Sequence, residues 1–536
     1  MNSTEVDAVE EVITEEELEK VSIDDFIKIG PHCYLILIFA EFILLAAAGN
    51  MMYMMYAGAA PYSVPCVGKN FTIPDICAPE YSNASLEDCE IQPKYDFKSV
   101  NVEFKLFCKN GQLVKSSVSY QMMGVMFGTL LTGQLSDRFG RIKIVHVCMI
   151  IVTAISYATT FTTNLFEFTL IRTLLGIFNG GLIGTYGVYK MEHIPRQHRF
   201  WVATIISWAP NFILLATIAW LVPEWKNFQI ALIIVSSPAF ILAFFVRESP
   251  RWLVQRGRIE EARVIMNRML KMDGASEKKK RLMNVMLDFE RKKQHSQGGK
   301  SYNVLKLFSN RGMSIAISVM CLGRFFTSLI NYGLIFNIEK ISGSLFVNAL
   351  ITGFLRWTIN IIFAALDFKL KIFGRKAVHF GAQFCIAICM FSMAVSYLLD
   401  VDNQLANIIR IATVIASAVT SQVFVVKGIV TMEFFPTLVR NSALALESTS
   451  SRIGTILAPQ VFALSDIKFI PYILLTIMSL TDAILFQLTL PETKGSKLPE
   501  TLPTKKSKQN QKNALIEQNL QDQPLVLSDK SEKTGH

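Results

Sequence analysis

The sequence predicts an all-α membrane protein of twelve helices in two similar six-helix halves, and three observations carry that prediction. Apolar stretches of membrane-spanning length recur along the 536 residues. A charged pattern occurs twice: Glu192, Pro195 and Arg199 return as Glu433, Pro436 and Arg440, with identical internal spacing, 241 residues later. Each copy closes one long apolar stretch and opens another. Two further elements follow the same repeat. Glu248-Ser249-Pro250 is matched by Pro491-Glu492-Thr493, and Gly140-Arg141 returns as Gly374-Arg375. Charges in fixed order at matched spacing across ~240 residues mark a duplicated membrane unit.

Composition sets the class. Hydrophobic residues make up 51% of the chain and charged ones 18%, too little charge for an ordinary soluble protein of this length. The net charge of +10 lies mostly in short segments between apolar spans, where it sets membrane topology, so no nucleic-acid partner is expected. Walker loops, paired Cys or His at metal spacing, and nucleophile motifs are all missing, and no enzyme activity, cofactor or metal is expected.

A helix needs ~20 apolar residues to cross the hydrocarbon core. Such stretches lie near 33–56, 117–136, 143–162, 165–189, 200–221 and 227–246, then near 312–336, 345–366, 377–399, 404–431, 441–463 and 468–489. The expected organisation is an N-terminal segment 1–32, a first half 33–246 with a large loop at 58–116, and a linker 247–310. A second half 311–490 and a polar, disordered tail 491–536 complete it. The acidic start, with Glu15, Glu16 and Glu17 in a run, has no apolar core, so the first span is read as an uncleaved signal-anchor. Ser22 with Asp25 resembles a capping box for a short amphipathic helix. In the linker, 259–272 has helical periodicity. The run Lys278-Lys279-Lys280-Arg281 is expected to meet anionic headgroups or water.

Twelve crossings place both termini on one side. Arg138, Arg141 and Lys143 follow span two, Arg196 and Arg199 follow span four, and Lys369, Lys371, Arg375 and Lys376 follow span eight. The opposite loops near Thr163, Pro223 and Asp400 carry almost no Lys or Arg, which makes the termini cytoplasmic. The loop 58–116 holds Cys66, Cys77, Cys89 and Cys108, four cysteines with three alternative pairings, and the glycosylation acceptors Asn70 and Asn83. Both signals put that loop outside the cell or in a lumen, and the plasma membrane is the expected location.

Between spans two and three stands Gly133-Gln-Leu-Ser-Asp137-Arg138-Phe-Gly140-Arg141. Its glycines permit a tight turn and close helix approach. Its charges suit a latch that locks two helix bundles in one state and releases them in another. Together with Arg172-x-x-x-Gly176 in span four, this loop resembles the signature of the major facilitator superfamily. A narrower resemblance, over about residues 20 to 495, is to its organic cation, anion and carnitine transporters. It rests on Ser22-Ile-Asp24-Asp25 with Ile29-Gly30, on Pro61 and Cys66 opening the large loop, and on Val102-Glu103-Phe104 with Leu106 and Cys108 ending it. Glu248-Ser249-Pro250-Arg251-Trp252-Leu253 and Glu433-Phe-Phe-Pro436-Thr437 with Arg440-Asn441 add to it. The resemblance implies a twelve-helix major facilitator fold with Gly133, Asp137, Arg138, Gly140, Arg141, Arg172, Glu192, Arg199, Glu433 and Arg440 in the latch. Lys371 departs from the pattern, since the family usually has Asp there; Asp367, one turn earlier, is a candidate substitute.

A charge at mid-membrane costs about 2.5–3.5 kcal/mol on insertion scales, so each needs a reason. The candidates are Glu41, Arg324, Arg356, Lys427, Glu447 and Arg452. Most are basic, which favours a cavity for an anionic group. Arg452, in the small polar segment Ser448-Thr449-Ser450-Ser451-Arg452-Ile453-Gly454, is the first choice, because guanidinium grips a carboxylate through two parallel hydrogen bonds. The resemblance points the same way, as the anion and carnitine members carry arginine here and cation members tend to carry aspartate. A structural pair with Glu41 or Glu447 is the plainer alternative. Arg324 and Arg356 either neutralise substrate or pair with an acid, and Lys427 reads as structural. Phe325, Phe326, Tyr332, Trp208 and Trp357 are candidate aromatic lining.

The expected function is secondary transport, by alternating access, of small organic anions or zwitterions such as carnitine-like solutes. The implied partners are that solute and the lipid bilayer. An organic cation carrier drawn to Glu41 and Glu447 is the first rival, and a transport-inactive receptor or scaffold the second. The coupling ion and the oligomeric state are left open.

Overall fold

The computed structural model describes residues 21–68, 72–73, 75–77, 89–195, 198, 202, 207–296, 307–308, 310–338, 342–369, 374–463 and 467–494. Asn70, Asn83, Arg199, Lys371, the acidic start and the polar tail lie outside them, as do the side chains of Cys89 and Asp367.

Among the described residues twelve helices, read as the membrane helices, form in chain order. The first half contains α1 (Pro31–Met52, continued by Met54–Ala57), α2 (Gly111–Phe139), α3 (Arg141–Thr159), α4 (Leu165–Glu192), α5 (Trp208–Leu221) and α6 (Trp225–Ser236, continued by Pro238–Ala243). The second contains α7 (Arg311–Ile335), α8 (Leu345–Lys369), α9 (Arg375–Leu398), α10 (Ala406–Phe434), α11 (Thr437–Ala463) and α12 (Ile470–Thr489). Among the described residues nine of these are long and apolar enough to cross a bilayer. Of the other three, α2 and α11 are long but more polar, and α5 is short.

Local chemistry sets the ends. Pro31 opens α1 after Gly30, the Asn164 side chain accepts the Glu167 N–H at the start of α4, and Asn310 accepts that of Gly312 at the start of α7. The repeat read in the sequence becomes a pair of matching caps. Glu248 Oε1 accepts the Arg141 and Ile142 N–H groups at 3.0 and 3.3 Å, and Glu492 accepts those of Arg375 and Lys376 at 2.8 and 3.1 Å. Each carboxylate sits on a helix N-terminus. They titrate in opposite directions. Burial pushes the Glu248 carboxyl up. Burial works against Glu492 too, but the N–H groups of Lys494, Lys376, Arg375 and Thr493 hold it below the ordinary range.

Within the first half α2 packs on α4, and in the second α7 packs on α11. The α2–α4 seam is glycine-built: a Cβ at Gly128 or Gly180 would run into the backbone of Ile177 or Val125 respectively. Gly133, expected to serve close approach, meets nothing within 4 Å, so that role belongs to glycines one to three turns earlier. Gly128→Leu should therefore reduce the folded, monodisperse fraction in fluorescence-detected size exclusion several-fold, with Gly133→Leu close to wild type. Equal profiles would refute the packing assignment.

The halves meet through α2–α11 and α5–α8. Most of these contacts lie toward the side bearing the loop of residues 58–110, here the loop side. Ser119 Oγ donates to Ile456 O at 2.7 Å, Lys115 Nζ to Asn337 Oδ1 at 3.1 Å, and Tyr56 stacks on Phe346 with centroids 6.3 Å apart. The loop holds a small sheet ordered β2 (Thr72–Ile73), β1 (Cys66–Gly68), β3 (Cys89–Ile91), with β1 antiparallel to both neighbours. Cys77 is bonded to Cys108, and Cys66 is also in a disulfide. Lys98 Nζ to Glu224 at 2.8 Å and Lys226 Nζ to Glu103 at 2.6 Å tie the loop to the α5–α6 turn.

On the opposite, terminal side, helices Pro250–Gln255, Ile259–Met272 and Glu277–Ser296 bury Phe26, Trp252, Leu270 and Met283 in a separate core. Ser22 and Asp25 do form a capping box, but it opens a single 3-10 turn, Ile23–Asp25. The basic run lies in the first turns of Glu277–Ser296, where Lys280 pairs with Glu277.

Candidate functional site

Between the halves lies a cavity of about 530 Å³. Its walls come from α1, α4, α5, α7, α8, α10 and α11, and the cross-half contacts of α1, α2, α8 and α11 close it toward the loop side. Among the described residues four cations and one acid line it: Lys190, Arg324, Arg356, Arg452 and Glu447.

Arg452 on α11 reaches the first half. Its Nη1 lies 3.9 Å from Met51 Sδ of α1, while Nε is buried without a hydrogen-bond partner among the described residues. Neither Glu41 nor Glu447 takes it. Glu41 Oε1 accepts from Asn211 Nδ2 at 2.8 Å and does not line the cavity. Glu447 belongs to Arg324, whose Nε is 3.0 Å from Oε2, and its Oε1 accepts from Thr431 Oγ1 at 2.5 Å. Arg356, 4% exposed, donates through Nη2 to Asn331 Oδ1, Ser417 Oγ and Thr420 Oγ1, all neutral acceptors.

Two guanidinium groups cover aromatic faces. Arg356 lies 4.8 Å from the Phe212 centroid and Arg324 5.6 Å from that of Phe424. Tyr332 and Trp208 also line the cavity. Phe326 does not. It packs against Phe325 at 5.7 Å, because three consecutive bulky residues on α7 cannot all face the same way.

The described residues expected to form the latch, Arg172 apart, gather on the terminal side. Arg141 pairs with Asp137 and has Nε 3.5 Å from Glu192 Oε1; in the second half Arg375 Nη2 is 3.0 Å from Glu433 Oε1. Gly140 has φ +114, and a side chain there would strike the Glu248 carboxylate. Trp252 Nε1 and Arg256 donate to the Asp137 carbonyl, so the linker helices grip the same turn. Arg440 Nε donates to Phe435 O, and Arg138 lies over the Phe139 ring. Arg172 is not part of this cluster. It lies near the opposite end of α4, fully buried, donating to Asn50 O and Gln121 Oε1 with its guanidinium 4.4 Å from the Tyr53 centroid.

Sequence reasoning missed Asp482 and Lys190. Asp482 interrupts an apolar run in α12, and a scan of that span for charge finds it. Lys190 sits within two residues of Glu192 and reads as part of the terminal-side pattern.

A family model described as sugar (and other) transporter matches residues 89–502. The chain belongs to that family. The transporter is 28% identical over 430 residues to organic cation/carnitine transporter 2 of Rattus norvegicus, covering 78% of this chain and 73% of the relative. It is 26% identical over 415 residues to organic anion transporter 3 of Oryctolagus cuniculus, covering 75% and 73%. The organic cation transporter protein of Drosophila melanogaster is 27% identical over 440 residues, covering 79% and 78%. These relatives bear out the resemblance read from the motifs. Among solved structures, the inward open conformation of the xylose transporter XylE from E. coli superposes with a TM-score of 0.60 at 17% identity, over 87% of this chain and 98% of that one. The transporter has the major facilitator fold, is a multi-pass membrane protein that carries organic solutes, and is not an enzyme.

Proposed function

We propose that this transporter carries organic anions or zwitterions through a carboxylate by alternating access, with Arg452 as the primary anchor. The carrying observation is the charge of the cavity wall, where, among the described residues, the one lining acid is already held by Arg324 and Arg452 keeps a buried Nε without a hydrogen-bond partner. The covered faces of Phe212 and Phe424 weigh against a cation, which would compete with guanidinium for the same rings. The basic terminal side is assigned to the cytoplasm and the disulfide-bonded loop to the exterior of the plasma membrane. On that assignment the cavity is sealed from outside, and the clusters around Asp137 and Glu433 hold the halves together in the outward-facing state.

Uptake of labelled carnitine, hippurate and tetraethylammonium in expressing cells tests this reading. Carboxylates should be carried and tetraethylammonium excluded. Arg452→Ala should lower carboxylate uptake roughly 30- to 100-fold, the worth of a charge-assisted bidentate contact. Tetraethylammonium uptake that the alanine variant leaves intact would overturn the anion assignment. Absence of flux for every solute of the panel would favour the receptor reading.

A further inference from the structure

The charged groups that the cavity leaves unused converge in the core of the second half. His379 of α9, Lys427 of α10 and Asp482 of α12 meet there, 0%, 0% and 1% exposed. Lys427 Nζ is 2.6 Å from Asp482 Oδ2 and donates to Thr327 Oγ1 of α7 at 3.1 Å. Gln383, one turn after His379, donates to the same carboxylate. The His379 ring stacks on Phe486 with centroids 3.8 Å apart, and its Nε2 stands 3.4 Å from Asp482 Oδ2. Its Nδ1 is buried and has no hydrogen-bond partner among the described residues.

Charge bookkeeping separates this cluster from a plain ion pair. With Lys427 protonated and Asp482 ionised the cluster is neutral, and the imidazole beside the carboxylate can take up one proton. Imidazole is the side chain that ordinarily changes charge near neutral pH. A lysine–aspartate pair held for stability alone needs no such neighbour. His379 lies one turn inside α9 from the terminal side, where its helix neighbours Lys376, Ala377 and Phe380 line an open groove with Gln487 and Glu492 that His379 itself does not line.

The cluster also adjoins the transport cavity. Thr431, one turn beyond Lys427 on α10, shares its hydroxyl between Lys427 O and Glu447 Oε1, at 2.8 and 2.5 Å. Glu447 in turn holds Arg324. Gly323, adjacent to Arg324, leaves no room for a Cβ against Lys427 Nζ and the Asp482 carboxylate. The charged groups around His379 are thus Arg375 and Lys376 at the start of its own helix, Lys427 from α10 and Asp482 from α12. Arg324 of α7 and Glu447 of α11 lie beyond Lys427.

We propose that His379, Asp482 and Lys427 form the binding site of a proton co-transported with the solute. This rests on the carboxylate reading given above. A proton entering at Nδ1 makes an imidazolium whose Nε2–H donates to Asp482. The carboxylate is then shared, and Lys427 is held less tightly by it. The added positive charge attracts Glu447 and loosens its hold on Arg324, which is freed for the solute carboxylate. One proton and one monocarboxylate cross as an electrically neutral pair, and deprotonation restores the Arg324–Glu447 bond and expels the solute.

The test uses full-length transporter in liposomes with labelled hippurate and entrapped pyranine. An inward gradient of ~1.5 pH units should drive up to roughly 30-fold accumulation of hippurate, tenfold per unit for one coupled proton. A protonophore should abolish that accumulation, and added hippurate should acidify the lumen. H379Q and H379N should abolish gradient-driven accumulation and make the residual hippurate counterflow low and independent of pH, with the folded fraction in size exclusion at the wild-type level, a combination that a merely structural role of the imidazole would not produce. Wild-type accumulation indifferent to the gradient, with no lumenal acidification, overturns the proposal, and the pyranine signal needs no variant. An unchanged pH response in a folded H379Q protein overturns it too. Failure of the anion reading looks different: hippurate is then not carried at any pH, whereas failure of this inference alone leaves Arg452-dependent hippurate flux without a pH response.

Discussion

Lys427→Met is expected to destabilise the transporter by about 3–5 kcal/mol, the cost of stranding one charge of a buried pair. Asp482 would be left with Gln383 and a neutral imidazole, 1% exposed, in the middle of an apolar helix packing. Asp482→Leu should cost a similar amount by stranding Lys427. The double variant Lys427→Met with Asp482→Leu should be markedly more stable than either single one, because an apolar pair of similar volume removes both desolvated charges. Thermal unfolding in detergent, followed by fluorescence-detected size exclusion, gives the three apparent Tm values. Additive losses in the double variant would show that the two residues are not coupled. The same double variant should retain no proton-driven accumulation.

Arg324→Ala carries the second large expectation. It leaves Glu447 ionised in the cavity wall with only the Thr431 hydroxyl as partner. That carboxylate repels an incoming anion and is free to engage Arg452 or Arg356. Removing one member of such a desolvated pair typically costs about 2–5 kcal/mol, so hippurate uptake should fall by roughly 30-fold to a few thousand-fold. Arg324→Ala with Glu447→Ala removes the liberated acid and should recover only the part of that loss caused by its repulsion, because the solute contact of Arg324 is still missing. If the double variant regains wild-type uptake, Arg324 does not contact the solute and its proton-linked release from Glu447 falls as a mechanism. Both variants leave Phe424 uncovered, so the double variant is also the one in which weak tetraethylammonium uptake should first appear.

The fold was legible because a membrane imposes long apolar helices and because duplication repeats charges at fixed offsets. The matching of Glu248 with Glu492 has a plain physical basis in the paired caps of α3 and α9. The site was legible in part. Arg452, Arg356, Arg324 and Glu447 declare themselves as charges in apolar spans. Which of them pair does not follow from spacing, since Arg324 and Glu447 are 123 residues apart. Phe326 and Glu41 were misplaced for a related reason: helix rotation decides which way a residue faces, and α1 and α7 are apolar on nearly every side. Arg172 shares a motif with Gly176, yet its partners are the Asn50 carbonyl and two glutamines inside the first half. A motif marks a residue as needed and leaves open which end of the membrane needs it.

The strapped loop of residues 58–110 has a mechanical consequence. The Cys77–Cys108 disulfide staples the loop within itself and the Lys98–Glu224 and Glu103–Lys226 pairs weld it to the α5–α6 turn, while it touches the second half through Phe97 against Phe346. It therefore rides on one rocker arm and sweeps across the other with each turnover. An antibody fragment that bridges this crown to the tip of α8 would act as a brake on the cycle, arresting transport without entering the solute path.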